Sequence, residues 1–289
     1  MLRFKEDRRT VAYMVVTTAV FALQWTIVGF NPFLYAFYLF LSVAVTVIAH
    51  NHNHLPLFRT PLLNTFTDYW LTVFYGFPAF AWIPTHNMNH HRLNNKEGDY
   101  TITYRLTENN TLLMLLFYPT MSSYYQQKPI RDYLRNLWRG DRRKWALAAG
   151  QYVMLLVWIG AFLILDWQKA LLYVILPQQV GLFSVLVFNY VQHVHADEES
   201  QYNHSRNFTG WLNLLLFNNG YHTVHHDKAG SHWSKAPALH AEVADKIDPE
   251  LIERSFWWYI FRVYFLAPFI PKFRTKSMRL ERLAQQGSR

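Results

Sequence analysis

The chain has 289 residues, of which 51% are hydrophobic, 18% aromatic and 16% charged. This composition excludes a disordered or fibrous protein, and a chain without cysteine carries no disulfide, zinc–thiolate site or iron–sulfur cluster. The formal net charge is +9 at pH 7. The hydrophobic residues are gathered in long charge-free stretches, which indicate a polytopic membrane protein more strongly than one or two soluble domains.

Four of these stretches are long enough to cross a bilayer as helices. They cover residues 11–30, 33–49, 145–165 and 170–191. The first two are separated by Asn31-Pro32, a pair typical of tight turns, and the last two by the short polar link 166–169. The sequence therefore predicts four transmembrane helices in two hairpins, with both termini on the same side.

The basic residues predict which side that is. Of the 28 lysines and arginines, 27 lie in residues 1–10, 50–144 and 192–289. Because Lys and Arg are retained on the cytoplasmic side, we expect both termini and the segments 50–144 and 192–289 to be cytoplasmic, in a bacterial inner membrane or the endoplasmic reticulum. The net charge then reflects this orientation and contact with anionic lipid headgroups. A nucleic-acid partner is not expected.

Shorter apolar segments rich in aromatic residues lie between and after the spans. Tyr69–Pro84 and Ser255–Ile270 are too short or too interrupted to span, and with Thr111–Tyr125 they predict interfacial or re-entrant helices. The basic tail Lys272–Arg289 predicts a frayed segment or one that lies on the headgroups. Within the fourth span, Pro177-Gln178-Gln179 predicts an interhelical hydrogen bond or a helix kink.

Histidine is concentrated in four clusters, which hold eleven of the fourteen histidines. The clusters are His50-Asn-His52-Asn-His54, His86-Asn-Met-Asn-His90-His91, His193-Val-His195 and His222-Thr-Val-His225-His226. Residues four apart share a face of an α-helix. The spacings from His50 to His54 and from His86 to His90 therefore each predict two imidazoles offered to one ion. The HxxHH pattern that begins at His222 predicts three imidazoles on one side of a helix.

The number of imidazoles predicts two metal ions, because nine or so converging side chains exceed what one four- or six-coordinate ion can bind. Imidazole suits iron, zinc, copper and nickel, and the near absence of carboxylates from the clusters disfavours magnesium, calcium and manganese. The remaining histidines, His204, His232 and His240, are expected to be solvated or hydrogen-bonded side chains.

The order of the clusters resembles the three histidine boxes of the integral-membrane fatty acid desaturase and hydroxylase superfamily. HxxxH begins at His50, HxxxHH at His86 and HxxHH at His222. The resemblance covers most of the chain, since boxes one and two fall between the second and third spans and box three follows the fourth. Asn189-Tyr-Val-Gln-His193 is similar to the extra ligand segment that ends the fourth span in acyl desaturases and membrane alkane hydroxylases.

The resemblance implies a non-haem centre of two iron ions, with dioxygen as co-substrate. The metal ligands that it implies are His50, His54, His86, His90, His91, His193, His222, His225 and His226. His52 and His195 are surplus and, two residues from a ligand, are expected to point away on a helix; a non-helical backbone would exchange His195 with His193. The resemblance also implies that Asn189 acts on the metal centre through water. Asp99 is expected to accept a hydrogen bond from a ligand imidazole, with a capping or surface carboxylate as the alternative.

By the same resemblance, the activity is O2-dependent desaturation of a fatty acyl chain, carried as an acyl lipid or an acyl thioester. A hydroxylase or ketolase of an alkane, fatty acid or carotenoid uses the same boxes and is the alternative. A non-redox metal-binding or transport protein is disfavoured, because the four spans contain no histidine. A separate electron donor of the ferredoxin, rubredoxin or cytochrome b5 type is required.

The expected fold class is therefore an all-α polytopic membrane protein with four transmembrane helices and a cytoplasmic, histidine-lined di-metal cap. The sequence shows no internal repeat or low-complexity tract. Residues 1–289 are expected to form a single membrane desaturase-like domain.

Overall fold

The structure, a computed structural model, describes residues 1–287 and is predominantly helical. Its α-helices are α1 (Arg8–Leu23), α2 (Pro32–His54), α3 (Pro61–Tyr75), α4 (His91–Leu93), α5 (Leu112–Gly140), α6 (Arg142–Leu165), α7 (Trp167–Ala170), α8 (Leu176–His193), α9 (Trp211–Leu215), α10 (His222–Asp227), α11 (Ala236–Ala241), α12 (Phe256–Phe261) and α13 (Met278–Gly287). The π-helical turns are Gln24–Val28, Ile83–His90, Leu171–Ile175 and Arg262–Leu266. The 3₁₀ turns are Lys5–Asp7, Ala79–Ala81, Trp233–Lys235, Ala244–Lys246, Pro249–Leu251 and Pro271–Phe273. Two short strands, β1 (Asn207–Phe208) and β2 (Ile252–Glu253), pair in parallel with Asn207 opposite Ile252.

Four helical stretches are long and apolar enough to cross a membrane. They are Lys5–Val28, Pro32–His54, Arg142–Leu165 and Trp167–His193. Two polar side chains in the short links cap the helices that follow. Asn31 Oδ1 accepts the N–H groups of Phe33 and Leu34 at the start of α2, and Asp166 Oδ1 accepts that of Lys169 in α7. The prediction of an all-α chain with four transmembrane helices is confirmed.

The chain divides into two compact units. The first contains Met1–Asn87 and Lys128–Val185, and the second contains Met88–Gln127 and Leu186–Arg289. The prediction that residues 1–289 form a single domain stays a prediction.

Interhelical hydrogen bonds hold the first unit together. In this unit α1 packs against α2, α2 against α3, and α3 against α6. The hydroxyl of Tyr38 donates to Tyr173 O at 3.1 Å, and Gln178 Nε2 donates to Val73 O at 2.7 Å. The interhelical hydrogen bond expected around Gln178 is therefore present, and it joins the start of α8 to the end of α3.

The end of α3 corrects one predicted boundary. The sequence predicted a helix over Tyr69–Pro84, but α3 begins at Pro61 and ends at Tyr75. The chain leaves the helix at Gly76, whose φ is 82° and whose added Cβ would lie 2.4 Å from the Cβ of Gln178. Only glycine combines a positive φ with that close approach. The predicted bounds of this helix were wrong because local hydropathy gives no information about the tertiary contact between Gly76 and Gln178.

The second unit has an aromatic core. The fully buried rings of Tyr118, Tyr190 and Tyr259 bring together the first half of α5, the end of α8 and α12. The predicted helical segments Thr111–Tyr125 and Ser255–Ile270 fall here, and both are largely helical.

The C-terminal helix α13 is held by ion pairs. Arg279 pairs with Glu198 at 3.1 Å and with Glu108, and Arg282 pairs with Asp197 and Glu198 at 2.8 Å each. The prediction of a frayed tail is therefore wrong for α13, because its basic residues meet acidic partners that are distant in sequence. The last two residues of the predicted tail, 288 and 289, lie outside the described residues.

Candidate metal centre

Four imidazoles of the second unit converge on one point. They belong to His90, His193, His222 and His226, called here the four-histidine set, and one ring nitrogen from each lies within 4.8 Å of all the others. His222 Nε2 is 2.9 Å from His193 Nε2 and 3.2 Å from His226 Nε2. Imidazole nitrogens gathered this closely form a donor set suited to a transition metal ion, so the residues fit a metal.

Three elements supply the four-histidine set. His193 is the last residue of α8, His222 and His226 lie four apart on α10, and His90 ends the π-helical turn Ile83–His90. The sequence predicted that His86 and His90 serve one ion, but the structure places them in different groups. His86 and His90 have different partners: His86 Nε2 lies 2.9 Å from His50 Nε2, whereas the His90 ring centroid lies 4.7 Å from that of His193.

His90 is held by a carboxylate. Its Nδ1–H donates to Asp99 Oδ2 at 2.8 Å, and Asp99 is fully buried. The carboxylate also accepts the N–H of Asn95 at 2.8 Å and both the N–H and the hydroxyl of Thr101 at 2.7 Å. Burial alone would raise the pKa of Asp99, but the adjacent His90 and these hydrogen bonds hold that pKa well below its usual range. This arrangement fixes the His90 ring and directs its Nε2 towards the other imidazoles.

Two further rings of the four-histidine set are oriented or kept neutral by their surroundings. His193 Nδ1–H donates to His204 O at 3.2 Å, which leaves its Nε2 as the acceptor nitrogen. Burial, reinforced by the neighbouring imidazoles, holds the pKa of His226 well below its ordinary value. A neutral imidazole retains the lone pair that a metal ion needs.

Three histidines of the first unit form a second group, called here the three-histidine set. His50 and His54 lie on the last turn of α2, as their spacing predicted, and His86 lies on the π-helical turn. His50 Nε2 is 2.9 Å from His86 Nε2, and the His54 ring centroid is 4.8 Å from that of His50 and 5.0 Å from that of His86. The indole of Trp82 packs 5.2 Å from the His50 ring and 5.0 Å from the His86 ring.

The last two predicted ligands form a histidine pair in the second unit. His91 Nε2 is 2.9 Å from His225 Nε2. The sequence predicted that His225 faces the same side as its two neighbours in box three, but its Nε2 meets His91 instead. His225 and His226, which lie three and four residues after His222 on the short helix α10, thus belong to different groups.

The two surplus histidines have structural partners. His52 Nδ1 accepts the N–H of Leu57 at 3.1 Å. His195 has a left-handed backbone, with φ 64°, and its Nε2–H donates to Glu108 O at 2.6 Å while its Nδ1 accepts the hydroxyl of Thr275 at 2.8 Å. The non-helical backbone at His195 therefore does not exchange it with His193, which is the residue that joins the four-histidine set.

Asn189 reaches the four-histidine set through other side chains. Its Nδ2 donates to the hydroxyl of Tyr118 at 2.6 Å, which donates to Thr101 O at 2.6 Å. Thr101 in turn donates to Asp99. Sequence reasoning missed Tyr118 and Thr101. The position of Thr101 two residues after Asp99 was a weak signal for the threonine, and nothing distinguishes Tyr118 from the other aromatic residues of its apolar segment.

The histidines outside the clusters are buried rather than solvated. His204 Nε2 lies 3.5 Å from an Asp227 carboxylate oxygen, and His232 Nδ1 lies 2.8 Å from the hydroxyl of Ser234. The His240 ring centroid is 4.9 Å from that of Tyr221, and burial lowers the pKa of His240. Of the two expected surroundings, solvent or a hydrogen bond, His232 has the hydrogen bond, and His204 lies within ion-pair distance of Asp227.

The membrane-spanning helices and the imidazole groups define an integral membrane protein whose histidines are compatible with a di-metal site. Residues 23–259 match the sequence profile described as fatty acid desaturase. Because this match covers well over half of the chain, the protein belongs to the fatty acid desaturase family, a family of oxidoreductases that act on lipids. A comparison with individual curated proteins gave no match.

Proposed function

We propose that the protein is a membrane-bound, O2-dependent di-iron oxidase that desaturates a fatty acyl chain. The observation that supports this most is the four-histidine set, an all-imidazole group with three buried members in which a buried carboxylate orients one ring. All of its members fall inside the segment that matches the desaturase family.

The nine implied ligands divide between two iron ions in this proposal. His90, His193, His222 and His226 hold one. The resemblance implies nine ligands for two ions, so we assign the other five implied ligands, His50, His54, His86, His91 and His225, to the second ion. Bound iron with dioxygen supplies the removal of hydrogen from an unactivated C–H bond, which no side chain performs.

The residues of the chain position that chemistry. Asp99 receives the Nδ1 proton of His90 in a hydrogen bond and so presents Nε2 to the ion, and Asn189 supports the same region through Tyr118. Burial of His90, His193 and His222 limits the access of bulk water to the metal. Holding the ligands in place and excluding water are the roles that we assign to the protein.

Substrate, partners and topology complete the proposal. The acyl chain is presented as an acyl lipid or acyl thioester, and a separate ferredoxin, rubredoxin or cytochrome b5 type of donor delivers electrons. Both termini and the histidine clusters face the cytoplasm, as the placement of 27 of the 28 basic residues supports. We propose a single desaturase-like domain over residues 1–289.

The test is mass spectrometry of lipid extracts from cells that express the wild type, His90→Ala or His240→Gln. His240 lies outside all three histidine groups and serves as the matched control. We expect a species that lacks two hydrogens in the wild type and the control, and none in His90→Ala, with all three proteins present in the membrane fraction.

A product with one added oxygen would instead establish the hydroxylase or ketolase alternative. Wild-type protein that contains iron but turns over no lipid, alkane or carotenoid when reduced with an added electron donor would contradict both oxidase functions. It would favour the non-redox metal-binding alternative.

A further inference from the structure

One short segment, called here the 204–207 segment, is buried beside the four-histidine set. It consists of His204, Ser205, Arg206 and Asn207. All four are buried, and the arginine is only 2% exposed. Arginine is almost never fully buried unless it is paired. Yet among the described residues the Arg206 guanidinium forms no ion pair, so its partners have to be sought in the backbone.

Those partners lie at the end of α8. Arg206 Nη1 donates to Val191 O at 3.0 Å and to Val194 O at 3.1 Å, and its backbone N–H donates to Gln192 O at 2.6 Å. The last carbonyls of a helix have no partners within the helix, and a positive charge there is favoured by the helix dipole. Arg206 thus caps the helix turn that ends in His193.

The same segment also holds the start of α10. Asn207 Nδ2 donates to the hydroxyl of Thr223 at 2.8 Å, and the N–H of Thr223 donates to Asn207 Oδ1 at 3.1 Å. The hydroxyl of Ser205 lies 3.0 Å from that of Thr223. Thr223 follows His222 directly, so the 204–207 segment contacts the backbone beside two members of the four-histidine set.

We propose that Arg206 is a positioning residue for the four-histidine set. By binding the carbonyls of Val191, Gln192 and Val194 on either side of His193, it sets the place and direction of the His193 ring before any ion binds. The neighbouring Asn207 binds the start of α10, so the 204–207 segment sets the distance between His193 and His222. This inference rests on the metal-binding role proposed above for these histidines.

A matched control lies on the same aromatic ring. The Arg206 guanidinium carbon is 4.8 Å from the ring centroid of Tyr259, and that of Arg262 is 5.6 Å away. Arg262 pairs with Glu253 and makes no hydrogen bond to α8 among the described residues. Arg262→Gln therefore removes a nearby positive charge without touching the turn that carries His193.

The first experiment titrates the metal-free, full-length protein with Co2+. A His54→Ala background, which disables the three-histidine set, makes the titration report on the four-histidine set. We expect Arg206→Gln to weaken Co2+ binding by about 10- to 100-fold, the usual effect of losing a group that orients a ligand, and to shift the ligand-field absorption of the bound ion. Arg206→Lys should recover part of the affinity, and Arg262→Gln should match the unsubstituted background.

A purely stabilising role gives a different result. Arg206→Gln would then lower the melting temperature while the folded protein kept the reference Co2+ affinity and spectrum, and this outcome overturns the proposal. Equal losses in Arg206→Gln and Arg262→Gln would also overturn it, because they would trace the effect to charge near Tyr259 rather than to the cap on α8.

The second experiment needs no variant and covers the case in which Arg206→Gln does not fold. Hydrogen exchange at Tyr190–Val194 is compared in metal-free and metal-loaded wild type. We expect protection of this turn in both forms, because Arg206 rather than the ion holds it; rapid exchange in the metal-free form alone contradicts the proposal. If the background protein bound no Co2+ at all, the metal centre would fail, and exchange at this turn would still decide whether the turn is preorganised.

Discussion

The four-histidine set and the three-histidine set hold their rings by different means. In the first, a buried carboxylate accepts the Nδ1 proton of His90 and a backbone carbonyl accepts that of His193. In the second, the indole of Trp82 packs against the rings of His50 and His86. A hydrogen bond fixes both the orientation and the tautomer of an imidazole, whereas aromatic packing limits only its position. Metal affinity at the four-histidine set should therefore depend on the charge of neighbouring side chains, and metal affinity at the three-histidine set should depend on their shape.

The largest effect is expected from His222→Ala. This substitution removes the ring whose Nε2 lies 2.9 Å from that of His193 and 3.2 Å from that of His226, so one of the two proposed ions loses its site. We expect bound iron to fall to about half of the wild-type content, since three remaining ligands leave that site incomplete, and product to become undetectable. Iron per protein by elemental analysis and product by mass spectrometry provide the check. Full iron content in His222→Ala would contradict the division of ligands.

A smaller effect is expected from Asp99→Asn. The amide keeps the size of the carboxylate but loses the charge and offers one acceptor where Asp99 offers two. We expect metal affinity to fall by about 10- to 100-fold, measured by competition with a chelator of known affinity. Glu97→Gln, a nearby charge change in an exposed side chain, is the control. If the two variants bind metal equally well, the hydrogen bond from His90 to Asp99 does not contribute to metal affinity.

Trp82→Phe should have less effect than Asp99→Asn. The phenyl ring keeps aromatic packing against the three-histidine set, so metal affinity should change by less than the roughly tenfold lower limit for groups that orient ligands through hydrogen bonds. Trp82→Ala removes the ring and should weaken binding more. If Trp82→Phe instead equals Asp99→Asn in the same competition assay, the two histidine groups do not differ in the way proposed.

The smallest effect is expected from Arg282→Gln in α13. Arg279 still pairs with Glu198 after this change, so we expect a loss of about 1.5–3 kcal/mol in the free energy of unfolding, the usual contribution of hydrogen bonds to charged groups, and no change in metal affinity. Thermal unfolding of the solubilised protein measures the first quantity and chelator competition the second. A tenfold loss of metal affinity would show that the four-histidine set depends on the C-terminal helix as well as on its immediate neighbours.

The spans were predictable because membrane insertion imposes length and apolarity on contiguous residues. The four predicted stretches and the four helices in the structure agree to within a few residues at most ends. The link between His90 and Asp99 was also within reach, since both residues lie in one short polar segment. Local sequence carries this kind of information.

The distribution of histidines between groups was not predictable in the same way. The spacing of His86 and His90 fits one helix face, but the two rings have different tertiary partners, His50 for His86 and His193 for His90. Arg206 gave no signal, because an arginine in a polar segment is ordinarily exposed. Its burial depends on tertiary hydrogen bonds to backbone carbonyls at the end of α8, which the local sequence does not show. The same reason applies to the ion pairs of α13.

The capped links between paired helices bear on how polar groups are satisfied between apolar helices. Asn31 is the polar side chain that starts α2, and Asp166 is the one that starts α7. The side-chain oxygen of each accepts hydrogen bonds from backbone N–H groups of the helix that follows. At both links the side-chain acceptor and the first backbone N–H groups of the next helix therefore satisfy each other. These polar groups need fewer water partners than they would in an uncapped link between two apolar helices.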